Sequence, residues 1–199
     1  MKDRKLLNME LGRITADEYR STRPQSGVVL VLDNVRSAHN VGSAFRTADA
    51  FGVDRIYLGG ICPVPPSPEL HKVALGAEEV VPFEHVADVV DLVHRLQSAG
   101  YTVIAVEQTV NSVKLNELQA FQSGGDTGSS EHRPFLCEEE PVSSPERKIA
   151  LIFGNEVEGV QQEVVDACDF ALEIPQKGTK HSLNVSVSIG VVLWGLAHN

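Results

Sequence analysis

The stretch VVLVLDNVRSAHNVGSAFRTADAFG, residues 28–52, decides the fold. It begins with VVLVL (28–32), an unbroken apolar and largely β-branched run that is typical of a parallel strand buried on both faces. Helical spacing follows from Asn40 to Phe51. A buried strand that leads into a helix is the repeating unit of α/β proteins, so this stretch predicts that class.

The rest of the chain continues the same alternation of short apolar runs and helical patterns. The runs predict four further strands, at 55–58, 101–107, 148–153 and 170–174. The helical patterns predict helices at 86–99 and 183–197. We therefore predict an α/β fold with a mainly parallel sheet and helices on both faces.

Two segments fall outside this alternation. Residues 1–23 predict a polar amphipathic helix that restarts at Thr15, where Glu18 completes a capping-box pattern. Residues 123–146 carry six acids and three prolines against one arginine, which predicts an exposed, mobile insertion. We therefore divide the chain into an N-terminal helical arm, 1–26, and one domain, 27–199.

Composition limits the class of protein. The 199 residues are 42% apolar, which is enough for one domain with a sizeable core. No run approaches the roughly 18 apolar residues of a membrane span, and the N-terminus lacks the apolar region of a secretory signal. The three cysteines and seven histidines show no disulfide or metal-binding spacing. We expect a soluble cytoplasmic protein with no metal and no membrane partner.

The net charge of −10 argues against a nucleic-acid partner when it is taken as a single number. The charge is unevenly distributed, however, with +2 over residues 1–55 and −12 over the remainder. A basic surface near the N-terminus therefore stays possible, and the overall sign does not decide the partner.

The first of three polar clusters, residues 33–49, follows the first strand. Ligands of open α/β sheets bind beyond the carboxyl ends of the strands, which is where this cluster lies. Asn40 could cap the helix, and Arg46, about two turns further on, carries a guanidinium that can fork onto a phosphate or carboxylate. The alternative is that Asn40 is an ordinary cap and Arg46 an intrahelical partner.

The second cluster is IFGNEVEGV (152–160), after the strand at 148–153. Gly154 would let the backbone approach a ligand closely, and Glu156 offers a carboxylate at the turn. An ordinary glycine–asparagine turn with a charged tip is the alternative.

The third cluster is IPQKGTKHSLNVSVSIGVVLWG (174–195), in which a strand end is followed by a polar loop and an apolar helix. Serine and asparagine are poor residues for a helix interior, yet Ser182, Asn184, Ser186 and Ser188 occur within seven positions. Their hydroxyls could serve a site, or they could simply be satisfied by nearby backbone carbonyls.

Taken together, the three clusters resemble the motifs of the SpoU/TrmH family of RNA ribose 2′-O-methyltransferases, in the SPOUT superfamily. Motif 1 is similar to residues 32–52, motif 2 to 149–160 and motif 3 to 174–194. Their order, spacing and position at strand ends all agree with the family, and the resemblance covers about 85% of the chain, from Val28 to Ala197.

The resemblance implies a C-terminal trefoil knot, a pocket for S-adenosyl-L-methionine in that knot, and a homodimer. Base rates alone run heavily against a knot. Carried over by position, the cofactor contacts fall on Gly154, Asn155, Ile174 and Leu183. The family's catalytic arginine falls on Arg46, with four supporting polar residues: Asn40, Glu156, Ser182 and Asn184.

The implied reaction is methyl transfer to a ribose 2′-hydroxyl of RNA, with tRNA slightly preferred over rRNA as the substrate. Two alternatives stay open: a catalytically inactive knotted RNA-binding dimer, and a methyltransferase that acts on a substrate other than RNA. Many relatives carry a separate N-terminal RNA-binding domain, whereas about 26 residues precede the first strand here. Target choice would then depend on that arm, the dimer surface or the proline-rich loop at 62–68.

Overall fold

The computed structural model describes residues 26–117, 148–179 and 182–197, together with residues 4–7, 10–12, 15, 17 and 18 of the arm. Its centre is a sheet of seven strands in the order β3-β2-β1-β6-β4-β7-β5, and every neighbouring pair is parallel. The strands are β1 Val28–Asp33, β2 Arg55–Gly59, β3 Phe83–Val86, β4 Tyr101–Val106, β5 Val113–Lys114, β6 Lys148–Phe153 and β7 Phe170–Glu173.

Six helices lie entirely within the described part of the chain. They are α1 Ala38–Ala50, α2 Pro68–Ala74, α3 Ala77–Val80, α4 Val89–Ser98, α5 Gln162–Ala167 and α6 Val185–Ala197. The strand order and the helices confirm the predicted parallel α/β class. The described residues do not test the trefoil knot, which stays a prediction.

Alternate residues of each central strand pack into opposite layers of the core. Leu30 and Leu32 of β1 pack with Phe45 of α1 and Ile189 of α6 on one face of the sheet. Val29 and Val31, one position out of phase, pack on the other face with residues of α4 and α5. Strands buried on both faces explain why the sequence shows continuous apolar runs there rather than alternation.

Helix α6 has apolar side chains on two faces. One face is buried and includes Ile189 and Val192, both fully buried. The other carries Val187, Val191 and Trp194, which are 50%, 37% and 59% exposed. These three lie at i, i+4 and i+7, so they form one continuous stripe along the helix. We call these three residues the α6 stripe.

The structure contains two short strands that the sequence pattern does not predict, and one helix begins later than predicted. The segment from Phe83 to Val86 forms edge strand β3, so the helix predicted from 86 begins only at Val89. Its N-cap is Asp88, whose side chain accepts the Asp91 amide at 3.0 Å. Strand β5 has two residues, too few to produce a pattern.

The N-terminal arm is partly described. Thr15 and Glu18 form the predicted capping box: the Glu18 amide donates to Thr15 Oγ1 at 3.2 Å, and the Thr15 amide donates to the Glu18 carboxylate at 2.8 Å. Residues 4–7 are not helical, so one continuous helix over 1–23 is wrong for them. The insertion at 123–146 lies outside the described residues.

Candidate active site

A cavity of about 430 Å³ opens at the carboxyl ends of β4, β6 and β7, against the start of α6. Parallel strands all end at the same edge of the sheet, which is why motifs distant in sequence meet there. Seven of the nine predicted site residues line the cavity: Gly154, Asn155, Glu156, Ile174, Ser182, Leu183 and Asn184. Asn40 and Arg46 are not among the lining residues.

Glu156 joins the second cluster to the first. Its carboxylate accepts the backbone amides of Arg36 and Ser37, both at 3.1 Å, and the side-chain amide of Asn40 at 2.9 Å. Partial burial raises the pKa of Glu156, but these hydrogen bonds outweigh it and hold the pKa below its ordinary value. The carboxylate therefore stays ionised at neutral pH and fixes the loop after β6 onto the start of α1.

Asn40 extends this connection to the third cluster. Its side-chain oxygen accepts the side-chain amide of Asn184 at 3.1 Å, so Glu156, Asn40 and Asn184 form one hydrogen-bonded chain across all three motifs. The expectation that Asn40 caps α1 is wrong. Ser37 is the N-cap and its hydroxyl accepts the Asn40 amide at 3.3 Å, which frees the Asn40 side chain for this role.

The polar residues at the start of α6 have local structural roles. Asn184 accepts the Ser186 amide at 2.9 Å and the Ser186 hydroxyl at 2.6 Å, which caps the helix. The Ser188 hydroxyl donates to the Asn184 carbonyl at 3.3 Å, in the way that the backbone alternative anticipated. Ser182 is exposed and lines the cavity.

Gly154 is required by the chain's own backbone. A Cβ at this position would lie 2.0 Å from the Gly159 carbonyl carbon and 2.0 Å from the Val160 nitrogen. The close approach expected to a ligand is therefore made to residues 159–160, where the loop returns on itself. Asn155 and Gly159 exchange two backbone hydrogen bonds of 2.9 Å that close this loop. Cofactor contact at Gly154 stays a prediction.

The Asn155 side chain is committed to protein partners. Its amide donates to the Asn34 carbonyl at 2.7 Å, and its oxygen accepts the Val157 and Glu158 amides at 2.9 and 3.3 Å. Asn155 is only 8% exposed, so its hydrogen bonds to the loop and to Asn34 shape the wall of the cavity. Its predicted cofactor contact is untested.

Asn34 holds three loops together, which sequence reasoning did not anticipate. It has a left-handed φ of 55°, a conformation that asparagine tolerates better than most residues. Its side chain donates to Asp33 at 2.8 Å and to Gln161 at 3.0 Å, and accepts the Ile61 amide at 3.2 Å. Asp33 is fully buried, and burial raises the pKa of its carboxyl despite two hydrogen bonds.

Arg46 is exposed on α1, six residues after Asn40 and therefore about 9 Å further along the helix. No hydrogen bond or ion pair joins its side chain to any other residue that the structure describes. The alternative that made it an intrahelical partner therefore has no support. A guanidinium held free in this way is available to an anionic ligand.

Sequence reasoning overlooked Glu107. It follows β4, lines the cavity, and accepts the Val160 amide at 3.0 Å and the Gln108 amide at 2.8 Å. Its carboxylate lies so close to Gly159 that a Cβ there would be 2.2 Å from the Glu107 oxygen. An acidic residue directly after a buried parallel strand was the available signal.

A histidine and two acids meet elsewhere, at the turn between α2 and α3. The ligand atoms of His71, Glu78 and Glu79 all lie within 4.8 Å of one another, and His71 contacts Glu78. None of the three lines the cavity. The Gly76 amide also donates to Glu78 at 3.1 Å, so this buried carboxylate already has protein partners.

In the described residues, no helix combines the length and apolar character that a membrane span needs.

The chain is 29% identical over 172 residues to the 23S rRNA (guanosine-2′-O-)-methyltransferase RlmB of Coxiella burnetii, covering 86% of this chain and 58% of that relative. It thus spans about three fifths of the length of the curated relatives it matches.

Two solved structures share the fold. The A. aeolicus TrmH/SpoU tRNA modifying enzyme superposes with a TM-score of 0.70 at 24% identity, over 92% of this chain and 80% of that one. The AdoMet-bound rRNA methyltransferase of Sinorhizobium meliloti superposes with a TM-score of 0.67 at 28% identity, over 89% and 58%. The profile of the SpoU rRNA Methylase family matches residues 27–194, and the chain belongs to that family.

Proposed function

We propose that the chain is an S-adenosyl-L-methionine-dependent methyltransferase that modifies a ribose 2′-hydroxyl of RNA. One observation carries the proposal: the cavity at the strand ends is built from all of the predicted cofactor residues. Glu156, Asn40 and Asn184 join the three family motifs around it. Family membership and the Sinorhizobium meliloti relative, whose structure is described as AdoMet-bound, support the same reading.

The cavity suits the chemistry of this cofactor. Its volume lies within the range that small-molecule sites occupy. Val106, Leu172, Ile174 and Leu183 supply an apolar lining for an adenine ring, while carboxylates such as Glu107 suit the positively charged sulfonium and ammonium groups of the molecule. When bound, the cofactor supplies an electrophilic methyl group on a sulfonium.

We assign the remaining work to this chain's own residues. Arg46 clamps a phosphate of the target nucleotide and stabilises negative charge as it develops on the ribose oxygen. It does not serve as the general base, because a guanidinium stays protonated in proteins. The Glu156–Asn40–Asn184 chain holds the start of α1, and with it Arg46, in register with the cavity wall.

We propose that the chain forms a homodimer through the α6 stripe. Three large apolar side chains in one exposed row form a contiguous apolar patch, and such patches are typical of interaction sites. Burial against a second copy would remove these side chains from water. The opposite face of α6 packs into the core with α1, and Trp194 also meets the Phe51 ring edge-on, so a second copy would cover the parts of the stripe that stay exposed.

The choice of RNA is a finer part of the proposal. One relative is described as a 23S rRNA guanosine enzyme and one neighbour as a tRNA modifying enzyme, so both RNAs enter the test. The slight preference for tRNA stays a prediction, as does the cytoplasmic location that an RNA substrate of this kind implies.

The test measures cofactor binding and methyl transfer separately. Calorimetry should detect S-adenosylmethionine binding, and tritium from its methyl group should enter unmodified total RNA. In Arg46→Ala we expect turnover to fall at least a hundredfold, about 3 kcal/mol in the barrier, while cofactor affinity stays within twofold. Arg46→Lys should restore little, because a point charge cannot reproduce the fork of a guanidinium.

Each alternative predicts a different result. An inactive RNA-binding dimer would bind RNA without transferring tritium. A methyltransferase for another substrate would bind the cofactor but leave every RNA fraction unlabelled. Near-normal turnover of Arg46→Ala on the RNA it methylates would show that Arg46 is structural.

A further inference from the structure

The lining of the cavity is strongly acidic. Glu107, Glu156, Glu158 and Glu173 line it, and among the lining residues that the structure describes there is no lysine, arginine or histidine. None of the four carboxylates forms an ion pair with a cation in the described ranges. Four carboxylates with no cation among the described lining residues give this part of the cavity a negative potential.

Two of the four carboxylates are held in place by hydrogen bonds alone. Glu107 accepts two backbone amides, one on each oxygen, and Glu173 accepts the Ser112 hydroxyl at 2.9 Å. Each carboxylate oxygen has a second lone pair, so both groups can accept further donors. The Glu156 carboxylate, in contrast, already accepts backbone amides at the start of α1, and the Glu158 side chain is exposed.

The backbone is shaped around Glu107. Gly159 has a φ of +71°, which favours glycine, and a Cβ there would lie 2.2 Å from a Glu107 carboxylate oxygen as the side chain is placed. The Val160 amide, next along the loop, donates to the same carboxylate. The loop that carries Gly154 and Glu156 is therefore hydrogen-bonded at its C-terminal end to Glu107, the residue that follows β4. Glu107 is thus a fixed part of the cavity wall.

We propose that the cavity selects its ligand by charge, with Glu107 and Glu173 favouring S-adenosylmethionine over S-adenosylhomocysteine. The two molecules share the adenosine and the amino-acid end, but the first carries a sulfonium and the second a neutral thioether. Carboxylates without a neighbouring cation attract the positive charge of the sulfonium, whereas they have no such attraction to the neutral thioether. The proposal rests on the proposed function, and it implies that the spent cofactor leaves readily.

The first measurement uses the wild-type protein and titration calorimetry with each molecule at about 20 mM and about 300 mM salt. We expect S-adenosylmethionine to bind at least tenfold more tightly than S-adenosylhomocysteine at low salt. The ratio should shrink at high salt, because screening weakens attraction to the sulfonium and leaves the thioether unaffected. Equal affinities, or tighter binding of S-adenosylhomocysteine, would overturn the proposal.

The second measurement locates the effect. Glu107→Gln and Glu173→Gln should each weaken S-adenosylmethionine binding three- to tenfold and change S-adenosylhomocysteine binding by less than twofold. The matched control is Glu163→Gln, the same substitution on an exposed residue of α5 outside the cavity, which should change neither affinity. Equal weakening of both molecules by the two cavity variants would refute the charge argument.

Folding of the variants is controlled separately. The side chain introduced by Glu107→Gln can accept only one of the two backbone amides, so the thermal unfolding of this variant is compared with that of wild type. Glu173→Gln keeps an oxygen that can accept the Ser112 hydroxyl, and it provides the test if Glu107→Gln unfolds. If neither molecule binds the wild-type protein, the proposed function fails as well, whereas equal binding of both leaves that function standing.

Discussion

Removing the Glu156 carboxylate tests whether the three motifs are held together as the structure indicates. Glu156→Ala deletes three hydrogen bonds of 2.9–3.1 Å, to Arg36, Ser37 and Asn40. Hydrogen bonds to a charged group contribute about 1.5–3 kcal/mol each when buried. Glu156 is mostly exposed and only partly buried, so water can replace its carboxylate at these donors, and we expect a total loss of about 1–2 kcal/mol.

The assay is thermal and urea unfolding at pH 7.5. For a chain of this length, a loss of 1–2 kcal/mol lowers the Tm by about 2–8 °C. Glu158→Ala, two residues along the same loop, is the matched control. Its carboxylate has no hydrogen bond or ion pair within the described part of the chain, so it should change the free energy of unfolding by less than about 0.5 kcal/mol.

The pH dependence has a definite sign. Because the pKa of Glu156 is lower in the folded protein than its ordinary value of 4.5, the stabilisation is fully present above that value. It is lost as the pH falls through the folded pKa. The difference between wild type and Glu156→Ala should therefore be constant from pH 6 to 8 and shrink below pH 4.5.

A double-mutant cycle with Asn40→Ala completes the test. The two residues share a 2.9 Å hydrogen bond, so we expect a coupling energy of about 0.5–1 kcal/mol. Strict additivity of the two changes, within 0.3 kcal/mol, would mean that the contact does not connect the motifs.

Three further predictions concern packing. Gly154→Ala should destabilise the protein by more than 2 kcal/mol in urea unfolding, because its Cβ meets backbone at 2.0 Å, whereas Gly178→Ala, with open space around it, should not. Gly42→Ala should also destabilise, since its Cβ would lie 2.6 Å from the Leu70 carbonyl of α2, and an unchanged urea midpoint would contradict that packing. Light scattering at micromolar protein should give a dimer mass, and Trp194→Glu should give a monomer that remains folded.

The sequence predicts the central strands well because their burial on both faces leaves a continuous apolar run. VVLVL and KIALIF form β1 and β6, two adjacent central strands, and both runs are shorter than a typical helix. The edge strand FEHV (83–86) was missed, because Glu84 and His85 break the apolar pattern where one side of the strand meets solvent. Edge strands carry this ambiguity generally.

For the candidate site, the residue types were predictable and their partners were not. Asn40 was assigned to a cap because asparagine is a common cap, yet Ser37 occupies that position. Gly154 was attributed to a ligand, but its close contact is with backbone five residues along the chain. Glu107 belongs to no motif. The contacts of all three residues depend on which loops meet in space, and the strand order determines which loops meet.

The place of β6 in the middle of the sheet has a consequence for synthesis on the ribosome. Strands β1 and β4 lie on either side of β6 and pair with it, and they form no hydrogen bonds with each other. Until residues 148–153 emerge, the nascent chain holds two apolar strand edges that have no neighbour, and at about 5–20 residues per second this interval lasts seconds. Open edges of this kind recruit other strands. The nascent chain is thus most prone to aggregation between translation of β4 and translation of β6, and chaperone binding would protect it most in that interval.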